Sequence, residues 1–131
     1  MGNYGTDIKK ILVVEDEPAI YAFCRRVLTG EGFEVDIAVN GSVAQGMLGG
    51  KDYDLYLFDI RTPIMTGEEL YEYMSEKYPK LIERVVFTTG DVTGGDTMSF
   101  LELSGRPYLL KPFTSGELKT IVSETLRQLE K

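Results

Sequence analysis

Four short apolar runs in this chain each lead into residues able to do chemistry. Ile11-Leu12-Val13-Val14 runs into Glu15-Asp16, and Leu55-Tyr56-Leu57-Phe58 into Asp59. Val85-Val86-Phe87 runs into Thr88-Thr89, and Tyr108-Leu109-Leu110 into Lys111-Pro112. A carboxylate at the mouth of a buried strand is a costly place for a charge, so Asp59 needs a partner or a task. If the run ends converge, carboxylates, a hydroxyl and an ammonium meet. Clustered carboxylates repel one another. A hard divalent cation, Mg²⁺ or Mn²⁺, relieves that repulsion through oxygen ligands. A carboxylate nucleophile beside such a cation, with Lys and Thr as donors, suits phosphoryl transfer, because the transferred group carries spread negative charge.

Composition narrows the alternatives. The chain has no histidine, which removes a His general base, a Ser-His-Asp triad and the usual zinc sites. Nor can it be its own phosphohistidine donor. Cys24 is the single cysteine, so a disulfide framework is not expected and a cytoplasmic setting is. Lys and Arg number 14 against 21 Asp and Glu, a net charge of −7 that disfavours direct nucleic-acid binding. No apolar run approaches the roughly 20 residues of a membrane helix, and no signal-peptide pattern opens the chain, so no direct membrane partner is expected. "MGNYGT" fits a myristoylation pattern and "NGS" at Asn40 a glycosylation acceptor. A flexible start, and a turn with Ser42 as helix N-cap, account for them better. A length of 131 residues fits one domain, expected over 9–131 after a flexible segment over 1–8.

The elements that must position these residues follow from periodicity. Ile20, Phe23, Cys24, Val27 and Leu28 recur at helical spacing, with Pro18 in the first turn and Gly30 and Gly32 at the end. Phe33, Val35 and Ile37 alternate with Glu34 and Asp36, a strand with one wet face. Val43, Ala44, Met47 and Leu48 give a short second helix stopped by Gly49-Gly50. Thr66 to Glu69 and Thr114 to Glu117 are capping boxes. The first opens a helix carrying Leu70, Tyr73 and Met74. The second opens one carrying Leu118, Ile121, Val122, Leu126 and Leu129. Gly90 to Gly95 leads into a weak helix around Met98 to Leu103.

Strand–helix alternation predicts an α/β fold: a doubly wound, five-stranded parallel sheet covered on both faces. The first, third and fourth strands are solidly apolar and therefore central. The second alternates, and Pro107 before the fifth favours an edge. Order 2-1-3-4-5, the flavodoxin-like (βα)5 arrangement, satisfies this. It brings the polar endings to one edge, beside the reversal between strands one and three.

The segments "ILVVEDE", "LYLFDIRTPIMTG", "VVFTTGD" and "YLLKPF" stand in an order and spacing that resemble the receiver domain of response regulators in bacterial two-component signalling. The likeness spans about Lys10 to Leu129. It implies a phosphoacceptor switch rather than an enzyme of turnover. It implies Asp59 as phosphoacceptor, Asp16 as a direct Mg²⁺ ligand and Glu15 as a ligand through water. The backbone carbonyl of Arg61 would complete the metal set. Thr89 would bond the phosphoryl oxygens, Lys111 would pair with the phosphoryl group, and Pro112 would fix the lysine's loop by a cis bond. Tyr108 would be an aromatic switch. The implied partners are a histidine kinase or phosphotransfer protein as donor, and an effector or second copy on the face of the fourth helix, fifth strand and fifth helix. "TTGD" and the weak fourth helix resemble receivers attached to hybrid sensor histidine kinases.

Some features depart from the family pattern. Glu15 replaces the commoner Asp. Arg61, two residues after Asp59, brings a side chain within reach of a phosphoryl group. The segment Gly90 to Gly105 leaves the output face the least defined part. Two competing readings remain. One is a receiver-like interaction module that is never phosphorylated. The other is a haloacid-dehalogenase-type phosphatase, for which Arg61 occupies the place of a needed second Asp.

Overall fold

The computed structural model describes residues 8–130. The expected flexible segment over 1–8 and the myristoylation pattern therefore lie outside the described residues, apart from Ile8. The elements in chain order are β1 (Lys10–Val14), α1 (Pro18–Gly30), β2 (Glu34–Ala38), α2 (Gly41–Leu48), β3 (Leu55–Asp59) and α3 (Gly67–Lys77). A 3₁₀ helix (Pro79–Arg84) that periodicity did not reveal comes next. β4 (Val85–Thr89), α4 (Gly95–Ser104), β5 (Tyr108–Leu110) and α5 (Ser115–Leu129) complete the chain. All strands pair in parallel in one sheet of order β2-β1-β3-β4-β5, as expected.

Successive residues of a strand face opposite sides of a sheet, and here both sides are filled. Leu12, Val14, Tyr56, Phe58, Val85 and Phe87 pack on one side against Leu48 of α2, Leu70 and Met74 of α3 and Leu101 of α4. Ile11, Val13, Leu55, Leu57 and Val86 pack on the other against Cys24 and Leu28 of α1 and Leu118 and Val122 of α5. This is why β1, β3 and β4 are solidly apolar. Aromatic edges knit the first side: Phe87 lies 5.3 Å from Tyr71 and 5.2 Å from Phe100 between ring centroids.

Local details refine several expectations. Asn40, not Ser42, caps α2: its Oδ1 accepts from the Val43 N–H at 2.9 Å. The helix thus begins two residues earlier than expected, and Val43 is 45% exposed while Gly41, Ala44 and Leu48 are buried. In α3 it is Tyr71, rather than Tyr73, that joins the buried face. In α5 Thr125 is buried, with its hydroxyl satisfied by donating to the Ile121 carbonyl at 2.7 Å. Both capping boxes form. α4 ends at Gly105, whose φ of +67° is the left-handed stop that glycine supplies.

The turn from β3 into α3 closes on the strand end. The Gly67 N–H donates to the Ile60 carbonyl at 3.0 Å. A Cβ on Gly67 would collide with the Asp59 carbonyl. Gly67→Ala is therefore expected to lower stability by about 1–3 kcal/mol through overpacking. A lower urea midpoint with an unchanged slope would show it; an unshifted midpoint would contradict this packing.

Candidate functional site

The sheet ladder continues past the strand ends and sets the depth of each polar residue. The Glu15 N–H donates to the Ala38 carbonyl at 3.0 Å, Ile60 N–H to the Thr88 carbonyl at 3.0 Å and Lys111 N–H to the Thr89 carbonyl at 2.8 Å. Glu15, Asp59 and Lys111 thereby share one edge. Carboxylate oxygens of Glu15, Asp16 and Asp59 all lie within 4.8 Å of one another. Glu15 and Asp59 are buried, at 2% and 6% exposure, and Asp16 opens to solvent.

Lys111 is the cation in this cluster. Its Nζ lies 2.8 Å from Glu15 Oε1, 3.1 Å from Asp59 Oδ2 and 3.7 Å from Glu17 Oε1. Glu17, the last acid of the "EDE" run, is not among the expected site residues. Its backbone N–H also donates to Glu15 Oε2 at 3.1 Å. Burial raises the Glu15 pKa above its ordinary value, and the charge of Asp59 adds to this. The Lys111 and Glu17 hydrogen bonds oppose the rise without cancelling it. Burial alone would lower Lys111. Its bond to Glu15 and the charges of Asp59 and Glu15 outweigh burial, and its pKa is raised.

One ammonium against four nearby carboxylates leaves excess negative charge on an all-oxygen donor set. Such a set, open on the Asp16 side, fits a hard divalent cation and lacks the nitrogen or sulfur donors of softer metals.

Of the remaining predicted residues, Arg61 touches this cluster through its backbone, whereas the Thr89 side chain and Tyr108 form no hydrogen bond with it. The Thr89 hydroxyl is buried, donates to the Asp91 carbonyl at 3.1 Å and accepts from the Asp91 N–H at 3.3 Å. The backbone N–H of Arg61 donates to Asp59 Oδ1 at 3.2 Å, while its guanidinium donates to Thr97 Oγ1 on α4 at 3.3 Å. Tyr108 stands on the edge strand at 36% exposure. The Lys111–Pro112 bond is cis. The loop after Asp59 is braced by Thr62, whose hydroxyl donates to the Met65 carbonyl at 2.8 Å. Ile64 within it has a φ of +69° and is 82% exposed, features no pattern in the sequence announced.

Fold and cluster together define a doubly wound protein with an acidic site at the carboxyl edge of its sheet. A family model described as the response regulator receiver domain matches residues 11–123, and the chain belongs to that family. The chain is 31% identical over 121 residues to the transcriptional regulatory protein PcoR of Escherichia coli. That match covers 92% of this chain and 53% of PcoR, so the chain spans about half the length of this curated relative. Among solved structures, a CheY-like receiver domain protein from Methanospirillum hungatei superposes with a TM-score of 0.85 at 29% identity, covering 95% of this chain and 98% of that one. The response regulator TrrA of Thermotoga maritima, solved in complex with Mg²⁺ and BeF, gives 0.77 at 30% identity, covering 90% and 99%.

A carboxylate with a raised folded pKa binds its proton more tightly folded than unfolded. Stability is then lost as pH rises from the ordinary carboxylate range through the raised Glu15 value. Glu15→Gln, measured by urea unfolding in chelator, is expected to be more stable than wild type at about pH 7, with the advantage vanishing towards about pH 4. A pH-independent difference would contradict the burial cost assigned to Glu15.

Proposed function

We propose that this receiver domain is a phosphorylation switch with Asp59 as its phosphoacceptor. One observation carries the reading: Asp59 is buried beside two further carboxylates yet touched by Lys111 at 3.1 Å, a site with a nucleophile, a cation and room for a metal. The donor is a phosphohistidine on a histidine kinase or phosphotransfer protein. An Asp59 carboxylate oxygen attacks phosphorus in line. The P–N bond breaks, and the imidazole leaves with the bonding pair and takes up a proton.

Asp16, Asp59 and the Arg61 carbonyl would hold Mg²⁺ (or Mn²⁺), with Glu15 acting through water. The bound cation would neutralise charge on the transferred oxygens. Lys111 shifts from the Asp59 carboxylate to the phosphoryl oxygens. The Thr89 hydroxyl exchanges Asp91 for the same group. The domain modifies only itself and is a switch rather than an enzyme of turnover.

The output face is α4, β5 and α5. Leu103 on α4 is 88% exposed, and Leu110 and Tyr108 on β5 are 48% and 36% exposed, apolar side chains that support docking of an effector or a second copy. Tyr108 turning inward in the phosphorylated state would reshape it. The cytoplasm is the compartment this reading assumes.

Intact mass after incubation with acetyl phosphate tests the assignment. One labile phosphoryl adduct is expected, dependent on Mg²⁺ and lost in Asp59→Asn. Equal adduct in Asp59→Asn, or none in wild type, would sink it.

A further inference from the structure

α4 is weakly secured at its start. Gly94 at its N-cap offers no side-chain bond. The first backbone bond, Met98 N–H to the Gly94 carbonyl, is stretched to 3.4 Å. Of its ten residues only Thr97 and Leu101 are buried. Among the described residues, the single side-chain hydrogen bond from another element to the first half of α4 comes from Arg61, whose Nη2 donates to Thr97 Oγ1 at 3.3 Å.

The same residue touches the site. The backbone N–H of Arg61 is on Asp59 Oδ1 at 3.2 Å. Its charge also reaches the loop between β4 and α4: hydrogen bonds from Thr93 hold the Asp91 carboxyl below its ordinary value, and Arg61 adds to this. Asp91 is in turn the residue that occupies the Thr89 hydroxyl. Arg61 thus joins the strand end bearing Asp59 to both segments that lead into the output face.

We propose that Arg61 is a positioning residue: its guanidinium ties the Asp59 loop to the first turn of α4 through Thr97, and negative charge gained at Asp59 releases the tie. This rests on the phosphoacceptor reading above. Thr97 offers the guanidinium one neutral hydroxyl. A phosphoryl group offers several oxygens carrying about two negative charges, matched to the planar fork of donors. Both bonds use the ionised guanidinium, but only the phosphoryl group adds an opposite full charge and a second acceptor oxygen for the fork, so the guanidinium transfers. α4, lacking a side-chain N-cap, then loosens from its N-terminal end.

The test is amide hydrogen exchange of Ser99 to Leu101, with and without acetyl phosphate and Mg²⁺, intact mass reporting the adduct in each sample. Thr97→Val keeps the shape and removes the acceptor. Exchange in the unphosphorylated state should rise about threefold or more, and phosphorylation should then add little. Thr97→Ser keeps the hydroxyl and should behave as wild type. Arg61→Ala, at an exposed position, should match Thr97→Val and guards against a folding defect from the buried substitution. Wild-type exchange in Thr97→Val, a Thr97→Ser variant resembling Val, or a full phosphorylation response in Arg61→Ala would each overturn the tie. Adduct formation with unaltered α4 exchange in wild type overturns the release alone. Absence of adduct in wild type overturns the phosphoacceptor reading, and the release with it.

Discussion

Lys111 lies 2.8 Å from Glu15 and 3.1 Å from Asp59, and the rest of the site is arranged around that ammonium. Two buried carboxylates at the end of a parallel sheet repel each other and have lost most of their water. The lysine offsets part of this cost, and no other ammonium or guanidinium among the described residues comes within ion-pair distance of them. Because Asp16 and Glu17 add further charge at the rim, compensation remains incomplete. That imbalance suits a divalent cation, with Lys111 already oriented and charged beside it.

The imbalance is sustainable because the backbone around it is rigid. Glu15, Ile60 and Lys111 extend the sheet ladder one residue beyond the strands, so their positions are set by main-chain bonds rather than by side-chain preference. Gly67 lets the start of α3 approach the Asp59 carbonyl more closely than any side chain would allow. Thr62 braces the intervening loop on Met65, whose carbonyl also receives the Gly41 N–H at 3.0 Å.

The opposite holds for α4. It enters through glycines, has no side-chain N-cap and buries two residues, whereas α3 and α5 begin with complete capping boxes. A helix so weakly fixed responds to small changes at its start, and Thr97 receives a bond from the residue two positions after Asp59. On the proposed reading, firmly placed acids beside a loosely held helix let a change at Asp59 act on α4.

Much of the molecule was legible in its sequence. Solid runs at Ile11–Val14, Leu55–Phe58 and Val85–Phe87 specify buried central strands, because only a strand covered on both faces lacks polar alternation. The polar residue closing each run, with the strand order, determines that Glu15, Asp16, Asp59 and Lys111 meet. What sequence left open depends on contacts between residues distant along the chain. Glu17 joins Lys111 only because two loops fold together, and Thr89 holds Asp91 only through the local course of its loop. Asn40 rather than Ser42 caps α2, a choice between nearby polar residues that satisfy a cap equally on paper. The direction of the Arg61 side chain was undetermined for the same reason: a long exposed side chain has many rotamers, and only the tertiary placement of Thr97 selects the one observed.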